Sequence, residues 1–252
     1  GKIMVIICMV IPGKNKDILN RMNIQNFQIA KISKKKIVND ELCIIDFELD
    51  NWDGHIPGQY SEICLTSEDG YEAIRPYSIS SEPNKKTLSF LIEKIPNGEV
   101  STFFYNFALV GDLVKISKPI GKRFILKDHS YTIMIASGSG IAPFLSMSKF
   151  LLNNKKTFSL FHWSKYFRGL VDYDYFSKKN NQANYFPFVT REKQKKWTAG
   201  NSRISAENFL NFKKNKKYEI YICGSDSFVE KASEIIDDSN LNFKLYTERF
   251  GS

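Results

Sequence analysis

The stretch Tyr131-Thr132-Ile133-Met134-Ile135-Ala136-Ser137-Gly138-Ser139-Gly140-Ile141-Ala142-Pro143 decides the fold. Its first six residues read as a buried strand, apolar almost without a break as a strand covered on both faces requires. Ser137-Gly138-Ser139-Gly140 reads as a loop, and a helix runs on from Pro143 to about Leu152. Proline suits the first helical turn, where its missing N–H leaves no bond unmade. Glycines let the backbone approach a phosphate, and a helix N-terminus adds free N–H groups and a positive dipole. Pro143 follows Ala142, so the third glycine of the ordinary dinucleotide fingerprint is missing. A tight turn without a ligand is the competing reading. The strand–loop–helix context favours a nucleotide.

Downstream, strands recur at Thr157–His162, Tyr185–Thr190, Tyr218–Cys223 and Phe243–Thr247, with helical stretches between them, clearest at Ser227–Ile236. This alternation predicts a doubly wound parallel sheet. Cys223-Gly224-Ser225 ends a strand on the edge where open α/β sheets bind ligands. The thiol either lines such a pocket or is a small buried residue before a turn. Thr190-Arg191-Glu192 follows another strand, and Arg203 comes twelve positions after Arg191, with Lys193, Lys195 and Lys196 between them. Two guanidinium groups there suit a ribose 2′-phosphate and NADPH over NADH; a solvated basic loop is the alternative. Glu248 and Phe250 follow the last strand, where they reach a flavin as proton relay and stacking ring or form a frayed end.

Upstream the rhythm differs. Strands at Phe27–Ile32, Glu41–Leu49, Gln59–Leu65, Thr87–Lys94 and Asp112–Lys118 are punctuated by Pro57-Gly58, Glu68-Asp69-Gly70, Pro83-Asn84, Pro96-Asn97-Gly98 and Gly111-Asp112. That spacing predicts a small antiparallel β-barrel, interrupted by one helix over Val100–Phe107. Within it, Ile74-Arg75-Pro76-Tyr77-Ser78-Ile79-Ser80 brings together a guanidinium for a diphosphate, a rigid proline, a flat aromatic face and a hydroxyl able to bond a ring nitrogen. That is the make-up of a flavin cradle, although a strand edge with a snorkelling arginine reads the same way. Gly98-x-x-Ser101-Thr102 opens the helix as a second phosphate site or as an ordinary helix start.

The chain of 252 residues has room for two medium domains. We expect an appendage over 1–21, which includes the short apolar run Ile3–Ile11, a barrel domain over 22–124 and an α/β domain over 125–252. The run is too short to span a bilayer. A net charge of +9 suits an acidic partner or anionic cofactors as well as simple solubility, and the lysine runs Lys34-Lys35-Lys36 and Lys213-Lys214 look like loops. The four cysteines, Cys8, Cys43, Cys64 and Cys223, lie far apart, which excludes closely spaced iron–sulfur and zinc patterns. A reducing, cytoplasmic setting follows as the expectation. His55, His129 and His162 form no metal or triad pattern, and we assign them structural roles.

Taken in order, Arg75-Pro76-Tyr77-Ser78, Gly98-x-x-Ser101, Gly138-Ser139-Gly140-Ile141-Ala142-Pro143 and Cys223-Gly224 resemble the ferredoxin–NADP reductase superfamily. The resemblance runs from about Gln28 to the C-terminus. It implies FAD on the barrel and NADPH, with NADH possible, on the parallel sheet. Arg75 would then hold the flavin diphosphate with Pro76 fixing its aim, Tyr77 would pack on the flavin, Ser78 would bond its N5, Ser101 and Thr102 would cap the diphosphate, and Ile92, Gly98 and Val100 would complete the FAD site. Ser137, Gly138, Gly140, Ile141 and Pro143 would take the pyridine nucleotide, with Cys223 and Gly224 beside the nicotinamide and Arg191 and Arg203 on the 2′-phosphate (Lys165 as a third cation). Ser78, Cys223 and Glu248 would be catalytic, Phe250 would face the flavin, and no metal is expected. The implied activity is hydride transfer between NADPH and FAD with single electrons exchanged with an acidic ferredoxin or flavodoxin, by a monomer that binds no nucleic acid. The ending differs from the terminal tyrosine of plant-type members and looks more like oxygenase reductases that use NADH. Such a reductase component, or a non-catalytic nucleotide-binding subunit, is the alternative.

Overall fold

The computed structural model describes residues 27–67, 69–83, 87–127, 129–178, 182–192 and 200–250. The expected appendage, Cys8, and Lys193, Lys195 and Lys196 lie outside the described residues. The described chain divides into two compact units, one of residues 27–55 and 59–120, the other of 56–58 and 121–250.

The first unit is a six-stranded antiparallel sheet. Its strands are β1 (Phe27–Ile37), β2 (Leu42–Leu49), β3 (Tyr60–Thr66), β4 (Glu72–Ser78), β5 (Thr87–Glu93) and β6 (Leu113–Ser117), in the order β4-β3-β6-β1-β2-β5. The sheet closes where Ile79, just past β4, bridges Phe90 of β5. Alternation drives burial: Cys43, Ile45, Phe47 and Leu49 of β2 face inward with Ala30 and Ile32 of β1. Phe47 meets Phe90 and Phe104 edge-on at 5.8 and 5.9 Å, the arrangement that aromatic quadrupoles favour. Lys34-Lys35-Lys36, expected in a loop, lies in β1. The strand bulges between Ile32 and Lys34 and then pairs these lysines with Ile44–Asp46. Cross-strand hydrogen bonding overrides the local charge signal there. The expected helix over Val100–Phe107 is split. A single α-turn, α1 (Glu99–Thr102), runs into a wider π-turn over Phe103–Phe107, with the Ala108 N–H bonded to the Phe103 carbonyl at 2.9 Å. The widening lets Val100, Phe103 and Phe104 all reach the core.

The second unit is a five-stranded parallel sheet of β7 (Tyr131–Ser137), β8 (Phe158–Ser164), β9 (Ala183–Val189), β10 (Lys217–Gly224) and β11 (Asn242–Arg249), in the order β11-β10-β7-β8-β9. The central strands β7, β8 and β10 are buried almost throughout and the edge strand β11 is not, as expected when helices cover both faces. The helices are α2 (Ala142–Asn153), α3 (Tyr173–Ser177) and α4 (Asp226–Asp237). α4 lays Val229, Ala232, Ile235 and Ile236 on the sheet. Strand order reverses between β7 and β10, so the crevice outside their carboxyl ends is the position where such sheets take ligands.

Candidate functional site

Parallel register sets the chemistry of the second unit. Ala136 of β7 pairs with His162 of β8 and with Cys223 of β10, and Cys223 pairs with Glu248 of β11. Four strands thus carry His162, Ala136, Cys223 and Glu248 at one level, near the carboxyl edge. Cys223 is fully buried, and burial followed by the Glu248 charge pushes its thiol well above the ordinary range. Glu248 is half-buried, its Oε2 has no hydrogen-bond partner among the described residues, and burial raises its carboxyl from 4.5 to about 7. His162 is fully buried, lies with Nδ1 3.3 Å from the Tyr185 hydroxyl, and is lowered by burial to about 3.

The glycine loop folds above this row. Ser137 ends β7, and Gly138–Ile141 form a 3₁₀ turn into α2. Gly138 has φ +57, a left-handed conformation that glycine adopts without strain. Gly140 packs backbone on backbone, since a Cβ there would lie 2.3 Å from the Cys223 carbonyl oxygen and 2.8 Å from the Gly224 Cα. Ile141 and Pro143 are buried in the start of α2. The Phe250 N–H bonds the Gly224 carbonyl at 2.9 Å, which holds the half-buried Phe250 against the end of β10. Backbone N–H donors and a carboxyl group with an unmet oxygen therefore lie on one sheet edge, a combination that fits a pyridine nucleotide.

Arg191 and Arg203 follow one β-bridge at equal distance. Phe188 bridges Gly200 in parallel, so each arginine stands three residues beyond the bridge. The Arg191 N–H bonds the Lys165 carbonyl at 2.9 Å, and the Trp163 indole donates to the Ser202 carbonyl at 3.0 Å. Both arginines are exposed, and the lysine is too.

In the barrel, β4 is an edge strand, where a proline costs no ladder bond. Strand alternation puts Arg75 and Tyr77 on one face, with Pro76 and Ser78 on the other. Arg75 is exposed, and its Nη1 donates to the Ile74 carbonyl at 2.7 Å. Tyr77 meets Phe90 edge-on at 6.4 Å, and burial raises its phenol well above the usual range. Ser78 is 5% exposed and Ile92 fully buried. Ser61, opposite Tyr77 in register, and Ser81 each bury a hydroxyl that lacks a partner among the described residues. Sequence reasoning passed over both; Ser61 is betrayed only by its inward parity in β3. Such orphaned hydroxyls beside an aromatic face and an exposed guanidinium fit a polar-edged ring with a diphosphate.

Gly98 starts α1 without a side-chain cap. The Ser101 hydroxyl donates to the Gly98 carbonyl and accepts from the Ile95 N–H, both at 3.3 Å, in a position 4% exposed. Thr102 beside it is half-buried. Val100 is buried, and Glu99 is exposed and takes the Tyr71 hydroxyl at 3.1 Å.

Known proteins converge on the same reading. An oxidoreductase FAD-binding domain model matches residues 29–125, and an oxidoreductase NAD-binding domain model matches 134–234. The electron transfer component of 2-halobenzoate 1,2-dioxygenase from Burkholderia cepacia is 26% identical over 77% of this chain and 58% of that protein. The flavodoxin/ferredoxin–NADP reductase of Buchnera aphidicola is 27% identical over 76% of this chain and 82% of that protein. The flavohem-like FAD/NAD binding domain of nitric oxide dioxygenase from Vibrio cholerae has the same fold, with a TM-score of 0.80 at 18% identity over 90% of this chain and all of that one. This chain spans 58% of the length of the first dioxygenase relatives it matches. With a barrel carrying the FAD-binding model and a doubly wound sheet carrying the NAD-binding model, the chain belongs to the ferredoxin–NADP reductase superfamily, and its cofactors are FAD and NAD(P)H.

Proposed function

We propose that the chain is a flavin-dependent oxidoreductase that takes hydride from NADPH and exchanges single electrons with an acidic carrier protein of the ferredoxin or flavodoxin kind. FAD and NADPH supply the hydride and one-electron chemistry when bound. The protein supplies grip, orientation and a proton. Arg75 and Thr102 hold the flavin diphosphate, Tyr77 covers the ring, and Ser78 with Ile92, Gly98 and Val100 completes the pocket. The Gly138–Pro143 turn receives the pyridine-nucleotide diphosphate. Glu248 is the proton-handling group, and the observation that carries the proposal is its unpartnered buried oxygen one strand from Cys223. A carboxyl that titrates near 7 gives or takes a proton at neutral pH. Cys223 acts as a packing wall rather than a nucleophile, because burial keeps its thiol protonated.

The matched heights of Arg191 and Arg203 support NADPH over NADH, since two forked guanidinium groups suit a phosphate monoester. A net charge of +9 suits an acidic carrier by electrostatic steering. No helix among the described residues is long and apolar enough to cross a membrane. A reductase component of an oxygenase system is the second reading, favoured by the dioxygenase relatives. An anaerobic titration of the purified protein discriminates. Its visible spectrum should be that of a flavoprotein and should bleach at lower NADPH than NADH. Bleaching by NADH alone would move the assignment to the oxygenase-type reductase, and a protein that takes up no added FAD would end both.

A further inference from the structure

The carboxyl ends of β8 and β9 finish in a pile of flat groups. Trp163 of β8 pairs in register with Phe188 of β9, and their rings stack at 4.3 Å, 7° from parallel. Phe228 of α4 closes on the indole as well, with ring centroids 5.8 Å apart. Trp163 is 3% exposed, and the rings packed around it fix the direction of its N–H. Gly200 bridges Phe188 so closely that a Cβ there would lie 2.1 Å from the ring's Cδ1. The segment Gly200–Ser202 is therefore seated on this pile, and the Trp163 indole donates to the Ser202 carbonyl at 3.0 Å. A buried tryptophan needs an acceptor for its N–H, and here the acceptor is the residue before Arg203. Beyond Arg203 the backbone is fixed again. Ile204 packs against the core of the sheet, and the Ser205 N–H bonds Asn208 Oδ1 at 2.8 Å in a capping box. Arg203 is thus held in its backbone on both sides, while its side chain is exposed. Arg191 is placed by the residues that follow Trp163. The Thr190 N–H bonds the Ser164 carbonyl at 3.0 Å, and the Arg191 N–H bonds the Lys165 carbonyl at 2.9 Å. Residues 163–165 therefore set the backbone of both arginines.

We propose, resting on the reading of Arg203 as a ligand of the ribose 2′-phosphate, that Trp163 is a positioning residue for nucleotide choice. It touches no nucleotide. Its indole holds the Ser202 carbonyl, and that carbonyl fixes the point from which the Arg203 side chain reaches out. A forked guanidinium rewards fixed geometry, because two N–H groups must meet two oxygens at once. Freeing the backbone beneath it spreads the fork over many positions. Affinity for the 2′-phosphate then falls, while the rest of the nucleotide keeps its contacts.

The test is calorimetric binding of 2′,5′-ADP and of 5′-AMP to the FAD-loaded protein, two probes that differ by the 2′-phosphate alone. Trp163→Phe keeps a ring in the stack and deletes the N–H. We expect it to bind 2′,5′-ADP about three- to tenfold more weakly than wild type, with 5′-AMP unchanged. Combined with Arg203→Ala it should add nothing to the loss from Arg203→Ala alone, because the indole acts through that arginine. Gly200→Ala, whose Cβ would strike the ring that Trp163 braces, displaces the same segment and leaves the indole in place. The same selective loss is expected there, and it decides the question if Trp163→Phe does not fold. Equal weakening of both probes, or additive losses in the double variant, would make the indole a support of the sheet and overturn the proposal. Selective loss in Arg203→Ala with wild-type binding in Trp163→Phe and Gly200→Ala would overturn the role of Trp163 alone. A wild type that binds both probes alike, or an Arg203→Ala that matches wild type, would end the 2′-phosphate reading and the role of Trp163 with it.

Discussion

The two proposed phosphate-holding segments are made in opposite ways. At β4 of the barrel the work falls to side chains on an exposed edge strand: Arg75 reaches out, and little packs on it. At the turn after β7 it falls to the backbone, with Gly140 pressed on the Cys223 carbonyl so tightly that no side chain fits. A side-chain site can be weakened without harm to the fold. A backbone site cannot, because the contacts that shape it also hold two central strands in register.

The sharpest way to break this contrast is Gly140→Ala. Its Cβ would meet backbone atoms that cannot rotate away, so we expect a loss of about 3 kcal/mol or more and a midpoint lower by roughly 10 °C for the parallel-sheet unit, read by calorimetry. A midpoint within a degree or two of wild type would mean that the loop is not braced by β10.

Glu248→Gln comes next. The folded-state pKa of Glu248 is raised from 4.5 to about 7, so the folded protein favours the protonated carboxyl. Stability from this group is complete below pH 4.5 and is lost as pH rises through about 7. The glutamine variant should match wild type in acid and exceed it at pH 8 by up to about 3 kcal/mol, the ceiling set by the size of the shift. Parallel pH–stability curves would show that the carboxyl is already satisfied.

Arg75→Ala should leave the midpoint of the FAD-free protein unchanged, since the side chain is exposed and, among the described residues, bonded only to its neighbour's carbonyl. FAD should bind about 10- to 100-fold more weakly, the usual worth of a lost charge-assisted contact, as followed by flavin fluorescence on dilution. A large loss of stability with unchanged FAD affinity would reverse the contrast. The smallest effect is expected for Arg203→Ala: NADPH weakened about tenfold, NADH unchanged, in the same anaerobic titration. An equal effect on both nucleotides would remove Arg203 from the 2′-phosphate.

Much of this molecule is written in local sequence. The apolar run Tyr131–Ala136, the glycines at 138 and 140, and the alternation of Cys43, Ile45, Phe47 and Leu49 each announce an element, because periodicity and glycine chemistry act over a few residues. Arg75 and Tyr77 could be placed together for the same reason, being two apart on one strand. Other features depended on partners far along the chain. Lys34-Lys35-Lys36 looked like a loop until β2 paired with it, and the bonds of the Ser101 hydroxyl to the Ile95 N–H and the Gly98 carbonyl appear only once the turn is formed. The level row of His162, Ala136, Cys223 and Glu248 and the matched heights of Arg191 and Arg203 are products of strand register. Register is settled by which buried faces fit across the whole sheet, so residues almost ninety positions apart become neighbours only once the chain has folded.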